Sequence, residues 1–89
     1  MVEGAAPHAR DIVRIVAADC FPGEDVSVVM DILDEYGVEP YERERERVQL
    51  GILKLSRVNV DRLLEFVLHA KRDYRDVLYW AEYFVEPAG

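Results

Sequence analysis

The stretch Val60-Asp61-Arg62-Leu63-Leu64-Glu65-Phe66-Val67-Leu68 decides the fold class. Val60, Leu63, Leu64, Val67 and Leu68 recur at steps of three and four, which gathers them into one stripe on a helix but scatters them over both faces of a strand. Asn59 stands in front of the stripe as a good N-cap, with Val58 and Leu63 in the positions of a hydrophobic staple. Behind it the pattern runs to about Arg72. Asp73 can then cap a fifth segment, with Asp76 at its third helical position and Pro87 as its stop. Two helices and one bent helix fit this stretch equally well.

The same helical period extends upstream. A third segment is expected from Pro40 to about Ser56, with Val48, Leu50, Ile52, Leu53 and Leu55 after the run Glu42-Arg43-Glu44-Arg45-Glu46-Arg47. In that run attractive pairs at i, i+3 nearly cancel repulsive ones at i, i+4, each worth about 0.2–0.5 kcal/mol, so its helicity rests on intrinsic propensity. A second segment over Asp25 to Tyr36 places Val26, Val29, Met30 and Leu33 on one side, and Gly37 supplies a left-handed cap. Its link to Pro40 is short enough to predict neighbouring antiparallel helices. The first segment starts near Pro7, carries Ile12, Ile15 and Val16 with Val13, Ala17 and Cys20, and stops at the turn Phe21-Pro22-Gly23. The expected architecture is all-α, a compact bundle of four or five short helices in one domain over residues 1–89, with loose termini at 1–6 and 86–89. Its expected core is Ile15, Val16, Val29, Met30, Leu33, Ile52, Leu55, Leu63, Leu64, Val67, Val77 and Leu78.

Composition narrows the function classes. The 89 residues are 51% hydrophobic, which excludes intrinsic disorder, and no apolar run approaches the length of a membrane span. Met1-Val2-Glu3-Gly4 does not read as a secretory leader. A single cysteine forms no internal disulfide, so a reducing, cytoplasmic setting is expected. The net charge is -7, and its distribution matters more than its size. Residues 1–39 carry nine acids against two bases, whereas residues 40–89 carry nine of each. The acidic excess argues against nucleic acid as a partner.

No motif carries a recognisable chemistry. Cys20 ends a helix among Asp19, Glu24 and Asp25, fields that oppose a thiolate, and reads as a structural cysteine. Glu65, His69 and Asp73 fall at i, i+4, i+8; an i, i+4 pair can share a metal, but three such residues span about 12 Å of helix and cannot. A small metal protein or enzyme built on His69 is therefore one alternative reading, and a nucleic-acid-binding helix pair over the third and fourth segments is another. No catalytic residue, metal ligand or cofactor is assigned, and any small-molecule ligand stays unknown.

Two surfaces remain. Asp31, Asp34 and Glu35 cluster on the outer side of the second segment and could steer a basic partner. Five of the nine aromatics, Tyr74, Tyr79, Trp80, Tyr83 and Phe84, crowd into the last segment. There Tyr79/Tyr83 and Trp80/Phe84 form adjacent i, i+4 stripes, which either pack in the core or meet another chain. The expected function is that of a non-enzymatic protein–protein interaction module, homodimeric or bound to another protein, with Tyr79, Trp80, Tyr83 and Phe84 as contact area. The runs Glu39-Pro40-Tyr41-Glu42-Arg43-Glu44-Arg45-Glu46-Arg47-Val48-Gln49-Leu50 and Ala70-Lys71-Arg72-Asp73-Tyr74-Arg75-Asp76-Val77-Leu78-Tyr79-Trp80-Ala81-Glu82-Tyr83 resemble a group of small bacterial proteins of unknown function over roughly residues 39–84. That resemblance implies a small bacterial cytoplasmic protein and transfers no site residue.

Overall fold

The structure, a computed structural model, describes residues 9–83. Among them are four α-helices and no strand: α1 (Ala9–Cys20), α2 (Val26–Leu33), α3 (Arg45–Ser56) and α4 (Val60–Tyr83). The expected loose termini, the start at Pro7 and the stop at Pro87 lie outside the described residues.

Local signals set most helix ends. α1 gives way at Phe21-Pro22-Gly23, where the Glu24 amide closes a turn onto the Phe21 carbonyl at 3.1 Å. Asp25 caps α2 by accepting the Ser27 amide at 2.8 Å. Asn59 caps α4 by accepting the Arg62 amide at 3.1 Å. The staple does not form, because Val58 is exposed. Its φ of 54° is a left-handed conformation that a β-branched residue adopts only at a cost. Its amide is held at 3.0 Å by the Cys20 carbonyl, which fixes the turn between α3 and α4 against the end of α1. Asparagine tolerates this conformation and keeps the backbone contact, so Val58→Asn is expected to stabilise the protein by about 1 kcal/mol. A urea titration reads the change.

α4 is one run of helix broken at a single residue. Asp73 has φ -154° and ψ 95°, extended rather than helical, and its carboxylate accepts the Arg75 amide at 3.1 Å as an N-cap does. The two limbs, residues 60–72 and 74–83, fold toward each other. Phe66 and Trp80 would stand about 21 Å apart along a straight helix, yet their ring centroids are 6.2 Å apart. The second limb packs on α3 at Gly51, where an added Cβ would come within 3.2 Å of the Ala81 Cβ.

α2 and α3 differ from expectation. α2 ends at Leu33 rather than Tyr36, and α3 begins at Arg45 rather than Pro40. Residues 34–44 form an irregular link, so α2 and α3 are not the adjacent pair that a short connection implies. Each instead packs on α1 and on α4, at diagonal corners of a four-cornered bundle. The helix ends give the directions. α1 and α3 finish together where α4 starts, at the Cys20–Val58 bond. Arg10 and Arg45, at the starts of α1 and α3, both reach Asp34 at the end of α2. α2 and the first limb of α4 therefore run parallel, against α1 and α3.

The core contains Val13, Ala17, Phe21, Val29, Met30, Leu33, Tyr36, Val48, Ile52, Leu53, Leu63, Phe66, Val67, Val77 and Leu78. Two expected members are outside it: Ile15 is 67% exposed and Leu64 47% exposed. Val16 and Leu55 are only partly buried, at its edge. On α4 the buried face is Leu63, Phe66, Val67 and Ala70, turned away from the Leu64/Leu68 side of the apolar stripe. Gly37 has the expected positive φ, 107°, but it does not cap α2, whose C-cap is Asp34; it turns the link instead, and a Cβ there would also strike the Arg45 side chain at 2.6 Å.

Candidate functional site

The second limb of α4 sorts its aromatics onto opposite sides. Tyr79 and Tyr83, one helical turn apart, stack with centroids 5.1 Å apart and planes tilted by 38°. They are 53% and 68% exposed, so this pair spends its apolar area on water. Trp80 faces the other way, edge-on to Phe66 and 4.7 Å from the His69 ring. It closes the crook between the two limbs and is no longer a free contact residue. Phe84 lies outside the described residues. On the α3 side, Arg47 grips Glu82 through two bonds of 2.6 and 2.7 Å, and Lys54 donates to the Ala81 carbonyl at 2.8 Å. The limb is thus fixed by one side and presents its tyrosines from another.

The Glu65, His69 and Asp73 series does not converge. His69 Nε2 lies 3.3 Å from Asp76 Oδ2, across the kink. Asp73 is engaged by its own neighbour, Arg75, whose Nε donates at 3.0 Å. That contact holds the Asp73 carboxyl below its ordinary value. Glu65 is exposed. Among the described residues no group of three or more His, Cys, Asp or Glu is placed to hold a metal. Cys20 is buried, and burial pushes its thiol up despite the charge of Arg57, which keeps it protonated.

The acidic cluster of α2 also divides. Asp31 and Glu35 are exposed, but Asp34 turns into a structural junction. It pairs with Arg10, accepts from Arg45 at 3.2 Å, and lies beside Gln49, whose amide donates to the Leu33 and Tyr36 carbonyls at 2.9 and 3.2 Å. Burial works to raise the Asp34 carboxyl, and Arg10, Arg45 and Gln49 together outweigh it, holding it low. An aspartate committed to two arginines is not available to steer a partner.

A second junction went unread in the sequence. The Glu42 side chain is only 1% exposed. One of its oxygens accepts the amides of Gly37, Val38 and Glu39 at 2.8, 2.9 and 3.2 Å; the other accepts Lys71 Nζ at 2.9 Å. Lys71 also donates to the Glu35 carbonyl at 2.7 Å. The available signal was Gly37 followed by Pro40: a left-handed turn strips amides of helical acceptors, and an acid five residues on can satisfy them. The alternating Glu/Arg run hid which glutamate would do so.

No protein-family model, curated protein or solved structure matches the chain. No described helix is long and apolar enough to cross a membrane.

Proposed function

We propose that the protein is a non-enzymatic interaction module that associates with a second copy of itself through the second limb of α4. The observation that carries this reading is the exposed Tyr79–Tyr83 stack on a limb whose other side is fixed to α3. Tyrosine suits such a face because its ring loses water on contact while its hydroxyl keeps a polar partner at the rim. Charge favours a like partner here. On the limb Glu82 is paired with Arg47, and Arg75 stands beside Asp76, so two copies of this limb meet without the repulsion that the acidic first half would impose.

Light scattering over a concentration range is expected to show a mass rising from 10.3 kDa toward twice that value. Tyr79→Ser combined with Tyr83→Ser is expected to leave a monomer at every concentration. Because both rings are exposed, stability should move by less than about 1 kcal/mol. A wild-type chain that stays monomeric, or a double variant that still dimerises, removes this reading.

A further inference from the structure

The bundle carries a second apolar surface on a different side, at the seam between α2 and the first limb of α4. Lys71 Nζ on the Glu35 carbonyl, two residues past the end of α2, marks the register of these two parallel helices. One turn back from that contact lie Ile32 and Leu68, and two turns back lie Val28 and Leu64, all at i-3 or i-7. The opposite flank of α2 is spoken for, since Met30 lines a hollow with Arg10, Asp11 and Arg14 of α1. On α4 the other flank is taken by Phe66, His69 and Trp80. Val28, Leu64 and Leu68 are 49%, 47% and 55% exposed, and Ile32 is partly buried beneath them. The result is an aliphatic strip laid along two parallel helices.

Its border has one sign. Exposed Asp31 of α2 and Glu35 just past its end flank it on one side, and exposed Asp61 and Glu65 of α4 on the other. The cations nearby are mostly committed. Lys71 is bound to Glu42 and the Glu35 carbonyl, and Arg62 lies over the Phe66 ring at 5.3 Å on the far flank. Arg72, at the end of the strip, is the exception. A second copy would bring two acidic borders face to face, so charge selects against self-association here while apolar area selects for a partner.

We infer that this seam is a docking groove for a cationic amphipathic helix of another protein. Aliphatic side chains of that helix would enter between α2 and α4, with its lysines or arginines over Asp31, Glu35, Asp61 and Glu65. The inference shares with the proposed function only the idea of an interaction module, and it uses none of the same residues.

The test is binding of a labelled synthetic leucine/lysine amphipathic helix, followed by fluorescence anisotropy. The controls are a peptide of identical composition with scrambled order and an amphipathic leucine/glutamate helix. The amphipathic lysine peptide is expected to bind, more weakly as salt rises, and neither control should match it. Leu64→Ser with Leu68→Ser is expected to weaken binding by about tenfold or more with an unchanged circular dichroism spectrum. Tyr79→Ser with Tyr83→Ser should leave peptide binding intact even where it abolishes the dimer. Equal binding of the scrambled peptide, undiminished binding by the leucine variant, or no binding at all overturns the inference. So does loss of the dimer on changing Leu64 and Leu68, which would make a second copy the occupant.

Discussion

Glu42→Ala is expected to cost about 3–5 kcal/mol, the usual effect of removing one partner from a buried ion pair. A domain of this size holds about 5–15 kcal/mol in total, so the variant should melt far below the wild type. The size follows from what the carboxylate leaves behind. Three amides, of Gly37, Val38 and Glu39, lose their acceptor, and the Lys71 ammonium loses its counter-ion. Glu42→Gln keeps an oxygen for the amides but offers Lys71 no charge, so about 1–3 kcal/mol is expected. Urea titrations of both variants, with Lys71→Met to close a double-mutant cycle, separate the amide contribution from the ion pair. A Glu42→Ala loss below about 1 kcal/mol would show that the 34–44 link is held by something else.

The same carboxylate makes a pH prediction. Burial alone would raise it, but Lys71 and the three amides outweigh burial and hold it below its ordinary value of 4.5. A group with a depressed folded value contributes its full stabilisation above the unfolded value and loses it as pH falls through the folded one. Stability should therefore decline from about pH 5 downward. Asp34, also held low, adds to the decline in the same direction. In Glu42→Gln the acid slope should be visibly shallower than in the wild type. An identical slope would exclude Glu42 as a contributor.

The residues that could be read in advance are those whose partners lie within a few positions. Asn59 and Asp73 start helices through contacts with their own next turn, and spacing alone identifies them. The all-α class was legible for the same reason. What was hidden depends on distant partners. Asp34 looks like one more solvated acid until Arg10, far upstream, folds onto it. Glu42 looks like part of a charge-balanced helix. The run's internal pairs nearly cancel, so four good hydrogen bonds in the link outcompete continuing the helix. The α4 stripe was too broad to choose its own face: Leu63 and Leu64 are equal in the sequence. The choice falls to Phe66, whose large ring needs cover and finds it against Trp80 of the returning limb. Trp80 thereby leaves the proposed contact surface, while Tyr79 and Tyr83 stay on it.

Tyr36→Ala is the second change expected to cost about 3–5 kcal/mol, as large aromatic truncations in a packed core do. Tyr36 is fully buried, although it lies past the end of α2, where the sequence marks only a helix terminus. Its hydroxyl donates to the Arg43 carbonyl at 2.7 Å, and its own carbonyl accepts from Gln49. The ring thus anchors from the core the same link that Glu42 anchors through Lys71. Tyr36→Phe keeps the packing and loses only the bond to Arg43, so about 1–1.5 kcal/mol is expected. Burial raises the phenol well above its ordinary value of 10.0. Its contribution is therefore complete below that value and lost as pH rises toward the folded one, giving an alkaline slope that Tyr36→Phe should make shallower, with Lys71, also held high by Glu42, supplying the rest. Because both residues hold residues 34–44, their effects should not add. Once Glu42→Ala has loosened the link, the Arg43 carbonyl is free to reach water, and Tyr36→Phe should cost less in that background than in the wild type. Full additivity in the urea-derived free energies would mean that the two anchors act on separate structures, and that the link does not behave as one unit.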